Sequence, residues 1–287
     1  MTMSIEFSPV IAARAQGNGS PFSVRSVDLH KLGEGASPVV LLDDFRVTGR
    51  PFGPHPHAGF SAVTYVFEDS VGDLRSRSSL GNDLVIGPGG VCWTEAGSGV
   101  IHEEVPADPA RELHGVQIFV NLTARNKLVA PRVLGLEGGE VPEWRSEAGD
   151  RVRVVVGSFA GVSSPLVPTE RFDLLDVQLR GAIPSSIQVG YNAVLYVLTG
   201  GVLVRADGRE REVAGGHALA LQGGSGRVTF ESTEPAHFLI LSGAEIREPV
   251  FVEGSFIMNE RSQIDAALAR YRAGAMGHLA PLSEVNS

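Results

Sequence analysis

Apolar and polar residues alternate along this chain for short stretches only, and glycine or proline ends almost every stretch. PVVLLDDFRV, SAVTYVFE, DLVIGPGGVCW and LHGVQIFVNL in the first half, and RVRVVVGSF, FDLLDVQL, AVLYVLTGGVLVRA and HFLILSG in the second, carry this rhythm. A surface helix needs an apolar stripe at a spacing of roughly 3.6 residues over several turns, so the pattern excludes a helical bundle. It predicts a mostly β protein of short antiparallel strands, and 35 glycines with 17 prolines supply the turns. One late segment differs. Ser262 can cap a run in which Ile264, Ala267, Leu268 and Tyr271 share a face, which predicts a short C-terminal helix.

A chain of 287 residues with 43% apolar content can fill two cores. Between about Ala124 and Gly149 the strand rhythm lapses into a Pro-, Glu- and Gly-rich stretch, so the expected division is 1–130 and 131–287, the helix going with the second part. The halves look like copies. AVTYVFEDSVGDLR sits beside AVLYVLTGGVLVRA, and GG, strand, GSG, strand recurs at Gly89 to Glu104 and at Gly215 to Glu231. No spacing suits a βαβ unit, so two tandem antiparallel barrels are predicted.

The formal charge of -9 comes without a basic cluster, which argues against direct nucleic-acid binding. Cys92 is the only cysteine, so no internal disulfide forms; it reads as a small buried apolar residue rather than a nucleophile. The N-terminus lacks a charged start followed by an apolar run, and no segment reads as a membrane span, so a soluble cytoplasmic protein is expected.

Chemistry concentrates in PFGPHPHAGF and GSGVIHEEVP. His55 and His57 lie two apart, as do His102 and Glu104, and in a strand that spacing points both members of a pair to one face. Two such pairs facing a barrel interior offer three nitrogens and one oxygen to one divalent metal and leave positions open for water or substrate. Glu103 should point away from Glu104. His30, His114, His217, His237 and His278 lack paired spacing and read as structural or exposed. Aligning the copies puts His55, His57, His102 and Glu104 opposite Ser186, Gln188, Thr229 and Glu231, so the second barrel is expected to lack metal ligands. Phe52, Phe60 and Trp93 flank the ligands and could line an apolar mouth or pack the core.

HPHAGFSAVTYVFE, SLGN, IGPGGVCWTEAGSGVIHEEVP, LHGVQIFVNL and GAEIREPVFVEGSFIMN together resemble the pirins, members of the cupin superfamily, over roughly Phe22 to Arg272. The resemblance implies two tandem cupin (double-stranded β-helix) barrels, the first holding an iron-type site on His55, His57, His102 and Glu104 and the second holding none. His and carboxylate ligands also suit Zn2+, Ni2+, Cu2+ and Mn2+. Two functions are implied. One is a quercetin 2,3-dioxygenase-like oxidoreductase that opens a flavonol with O2, with Glu104 as the catalytic base. The other is an iron-dependent, redox-sensitive regulatory protein that binds a protein partner such as a transcription factor. Where pirins often carry His-x-Asp before Ser-Leu-Gly-Asn, this chain has Ser76 and Ser78.

Overall fold

The computed structural model describes residues 4–17, 21–224 and 226–282. It is built almost wholly of short antiparallel strands and divides into two compact units whose sequences interleave. The first comprises Gly17–Val24, Asp44–Gly138 and Arg247–Ser287; the second comprises Met1–Gln16, Arg25–Asp43 and Gly139–Ile246.

In the first unit a large sheet runs through Arg132–Leu136, Val91–Glu95, Phe60–Val66 and Leu113–Asn121, and a smaller one through His55–His57, Val100–Pro106, Leu74–Ser78 and Asp83–Ile86. Side chains from both sheets, among them Val66, Cys92, Leu113, Leu74 and Ile86, form one buried cluster, as expected of a barrel closed from two facing sheets. The second unit repeats this strand order. His217–Gln222, Tyr191–Thr199, Ala236–Ala244 and Phe172–Leu179 neighbour one another in its large sheet, and Ala182–Ile187, Gly226–Glu231, Gly201–Ala206 and Arg209–Ala214 in its small one. The duplication read from the letters is therefore a duplication of topology, and the architecture is a tandem cupin.

The pairing register corrects the alignment of the copies. His55 pairs with His102, and His57 with Val100. In the second barrel Ser185 pairs with Val228, Ile187 with Gly226 and Ile183 with Phe230. Ile187, Val228 and Phe230 are buried, whereas Ser186 is exposed and Thr229 and Glu231 are only half-buried. The inward positions that answer to His55, His57, His102 and Glu104 are thus Ser185, Ile187, Val228 and Phe230, one residue from those expected. A single-residue slip in a strand exchanges its faces, and letter-by-letter matching of repetitive strands cannot detect it.

Both chain ends also belong elsewhere than a cut at 130/131 suggests. Glu6–Phe7 and Ile11–Ala12 pair with His217–Gln222, inside the second unit. The helix, Arg261–Arg272, lies in the first unit, where Ile264 and Ala267 pack with Ala58, Phe256, Met258 and Met276. Its N-cap is Glu260 in a capping box with Gln263 rather than Ser262, whose hydroxyl instead bonds Glu260. Tyr271 stays exposed. The placement of the helix follows from a close approach: the Phe256–Met258 strand crosses Gly59, where a Cβ would stand 1.9 Å from the Ile257 carbonyl oxygen. Only glycine admits that crossing, and its φ of +87° also favours glycine.

Candidate metal centre

His55 and His57 occupy a three-residue strand held between the Gly53 turn and the Ala58 to Gly59 crossing, and His102 lies on the adjacent strand. Alternation turns all three imidazoles to the barrel interior. Their ring centroids stand 4.7 Å apart for His55 and His57, 4.7 Å for His55 and His102, and 4.5 Å for His57 and His102. One ring nitrogen from each falls within 4.8 Å of the others.

Hydrogen bonding shows which nitrogens are available. His55 Nδ1 lies 2.9 Å from the Gly53 carbonyl oxygen, which as the acceptor fixes the proton on Nδ1 and leaves the Nε2 lone pair free. Nδ1 of His57 and Nδ1 of His102 are buried without a hydrogen-bond partner. Three imidazoles that converge in this way, each offering one ring nitrogen to a common point, form the donor set that a divalent transition metal takes up. Burial, then the proximity of His55, pushes the His57 imidazole down to about 3, with a backbone hydrogen bond at Ser255 opposing. His102 is pushed well down by burial and then by His57 and His55. Both are therefore neutral, the form that binds metal, across the physiological range. The residues present fit a divalent transition metal.

Glu104 stands at the edge of this trio. Its Oε1 is 4.0 Å from His102 Nδ1 and accepts from the Ser76 hydroxyl at 3.2 Å, while Oε2 accepts from Thr64 at 2.5 Å. Thr64 contacts Gln117 at 2.9 Å, and Gln117 donates to the Val63 carbonyl. Burial raises the Glu104 pKa, and the hydrogen bonds from Thr64, Ser76 and Cys92 counter this. The carboxylate thus lies beside the imidazoles with burial opposed by three hydrogen bonds. Sequence spacing did not reveal Thr64 or Gln117, because they lie on neighbouring strands far away along the chain.

Glu103, on the opposite face, pairs with Arg77 at 2.8 Å. Ser76 faces inward against Glu104 and Cys92, whereas Ser78 accepts from the Leu80 amide and bonds Asn82 within the Ser-Leu-Gly-Asn turn. The Cys92 thiol is fully buried and pushed up to about 12 by burial and by Glu104, which suits a packing residue and not a nucleophile. Of the flanking aromatics, Phe60 touches His57 at 5.0 Å, and exposed Phe52 stacks edge-on with Phe22. Trp93 follows Cys92, faces away from Glu104 and is buried, the core-packing alternative, while Phe119 lies 5.4 Å from His57. His114 pairs with Asp69 and Asp44, and His237 with Asp176, at equivalent places in the two barrels.

Comparison with known proteins agrees with this architecture. The pirin family model matches residues 11–120, and the pirin C-terminal cupin domain model matches residues 174–277. The chain belongs to the pirin family. Human pirin is 31% identical over 275 residues, which cover 93% of this chain and 92% of that protein. A Pseudomonas aeruginosa relative named "Putative quercetin 2,3-dioxygenase" is 35% identical over 252 residues, 83% of this chain and 86% of its own. The crystal structure of quercetin 2,3-dioxygenase from Acinetobacter baumannii superposes with a TM-score of 0.83 over 97% of this chain and 100% of that one; at 24% identity it supports the fold alone. Among the described residues, no helix of this pirin-family protein is long and apolar enough to cross a membrane.

Proposed function

We propose that this chain is a metal-dependent dioxygenase that cleaves a flavonol such as quercetin with O2, using one metal, iron in the first instance, held by His55, His57, His102 and Glu104. The observation that carries the reading is the convergence of His55, His57 and His102, one ring nitrogen of each lying within 4.8 Å of the others. A metal bound there supplies a Lewis acid and a place for the flavonol's adjacent oxygens to meet O2.

The protein's own residues do the rest. Phe60 and Phe119, packed 4.4 Å apart beside His57, give the site an apolar wall against which a planar ring can lie. Glu104, turned from a loose ligand into a base, takes the flavonol hydroxyl proton on Oε1, while Thr64 holds Oε2 and keeps the carboxylate in place. Removing that proton makes the ring electron-rich and ready for oxidation.

Metal analysis of anaerobically purified protein, followed by oxygen uptake with quercetin, tests the proposal. One metal per chain is expected, lost in His57→Ala/His102→Ala, and Glu104→Gln should lose most activity per bound metal. Full metal content in the double variant would refute the site. Equal turnover by iron-matched Glu104→Gln would refute the base. No oxygen uptake with any flavonol would refute the activity and leave the regulatory function, to be tested by partner binding to ferrous and ferric forms.

A further inference from the structure

The second barrel is not filled by its own side chains. Where the first barrel gathers its imidazoles, the second contains a cavity of about 370 Å³, and the answering positions Ser185, Ile187, Val228 and Phe230 all line it. A dry cavity of roughly 150 Å³ already accommodates benzene, so this one has room for two fused rings. Its floor is apolar: Leu175 and Ile240 are register partners on adjacent strands, and Leu221 and Phe230 close the sides.

One turn nearer the mouth, the lining changes character. Asp173 and Ser242 are register partners on the same two strands, and Gln188 joins them on the rim. Asp173 Oδ1 accepts from the Ser158 amide at 3.0 Å, and that bond depends on Gly157, where a Cβ would lie 1.9 Å from the same oxygen. Oδ2 has no hydrogen-bond partner among the described residues. Ser242 spends its proton on the Asn192 carbonyl at 2.9 Å and so presents only lone pairs. The Phe159 and Ala160 hairpin forms the lip, with Ala160 held at a φ of +47°, a conformation a non-glycine residue adopts only when its surroundings impose it. The mouth therefore offers the Asp173 and Ser242 acceptors, with the Gln188 amide beside them.

We infer that the C-terminal barrel binds a small hydroxylated ring compound, its rings in the chamber and its hydroxyl donating to Asp173 at the mouth. A neutral hydroxyl fits better than an ammonium group. Among the described residues Asp173 is the only ionisable side chain in the lining, so it alone would have to offset the cost of taking an ammonium out of water, whereas a hydroxyl needs a single acceptor. Burial also raises the Asp173 pKa, which weakens its hold on a cation but leaves its acceptor oxygens in place for a hydroxyl. This site contains none of the metal-centre residues and does not depend on the reaction proposed there.

Calorimetric titration of the full chain with 2-naphthol provides the test, alongside 2-methoxynaphthalene, which lacks the donor, and 2-naphthylmethylammonium, which carries the charge. One saturable naphthol site per chain is expected, unchanged in His57→Ala/His102→Ala. Asp173→Asn keeps the acceptor for Ser158 but loses the second one, so affinity should fall about tenfold, with the methoxy compound weakened to a similar degree. Ser185→Phe should abolish binding by filling the chamber; if that variant does not fold, the smaller Ser185→Leu should weaken it. Absence of saturable binding, binding that survives a folded Ser185→Phe, loss of the site in the double-histidine variant, or tighter binding of the ammonium compound would each overturn the inference.

Discussion

Burying two neutral imidazoles side by side should make the metal-free protein acid-sensitive in a range where surface histidines have little effect. The His57 imidazole titrates near its ordinary value of 6.5 when unfolded and about 3 when folded. The unfolded chain therefore binds a proton between those values that the folded chain refuses, and stability is lost as pH falls below 6.5. At pH 5 the difference is about 2 kcal/mol relative to pH 8, from a full decade and a half of protonation in the unfolded state. His102 shifts in the same direction and adds to the loss. Glu104 acts oppositely: its raised pKa lets the folded state take up a proton first, so falling pH relieves part of its burial cost. Comparing the protein with His57→Gln isolates the first contribution, because Glu104 and His102 are present in both. Trp93 lies in the first unit and Trp144 in the second, so urea unfolding in a Trp144→Phe background reports on the metal-binding barrel alone. With chelator present, the original should lose about 2 kcal/mol more than His57→Gln between pH 8 and pH 5. Parallel curves over that range would show that His57 is not buried as a neutral group, and the argument for a metal-ready site would lose its electrostatic support.

Two further substitutions probe what holds the histidine strand. Lys127 is fully buried, its ammonium donating to the Gly59 carbonyl at 2.8 Å and to the Asn121 side chain, and burial lowers it to about 8. Lys127→Met keeps the volume but strands the Gly59 carbonyl, so the first unit should lose about 2 kcal/mol in denaturant unfolding; an unchanged midpoint would mean the ammonium is dispensable. Gly59→Ala forces a Cβ into the Ile257 carbonyl and should cost more than about 2 kcal/mol while lowering metal content, measured by elemental analysis. Retention of full metal and stability would show that the crossing can shift freely.

The strands, the duplication and the three imidazoles were legible because each is a local pattern: alternation in PVVLLDDFRV, HPH and HEE at a spacing of two, glycine at each turn. Four features were not, for one shared reason. The partners of Glu104, the packing of Phe119 beside His57, the seat of the helix on Ala58 and the face of the second barrel's strands all depend on which residues meet across strands. Alternation defines two faces but does not say which is inward when both are rich in Val, Leu and Ala, as in AVLYVLTGGVLVRA. The surroundings of Glu104 depend on the same cross-strand meetings. Three imidazoles converge, and the carboxylate beside them is held by hydroxyls from two other strands.

That arrangement makes Ser76 the most informative position near the metal centre, since pirins often carry histidine in its place. Here its hydroxyl donates to Glu104 Oε1 at 3.2 Å and accepts from the Cys92 thiol at 3.3 Å. Its bond stabilises the ionised carboxylate, one of three that oppose the effect of burial. Ser76→Ala removes that donor without adding bulk, and the Cys92 thiol, protonated but a weak donor that already bonds Glu104, does not make up the loss. A bond of that length to a carboxylate is worth about 1 kcal/mol, so the Glu104 pKa should rise by roughly 0.7. If Glu104 is the base for the flavonol hydroxyl, the acid limb of kcat/KM must move to higher pH by the same amount, while the rate on the plateau changes little. Ser78→Ala is the control, since Ser78 serves the turn at Leu80 and Asn82 and touches neither carboxylate oxygen. An acid limb that stays in place in Ser76→Ala, or moves equally in Ser78→Ala, would separate the titrating group from Glu104 and require another base.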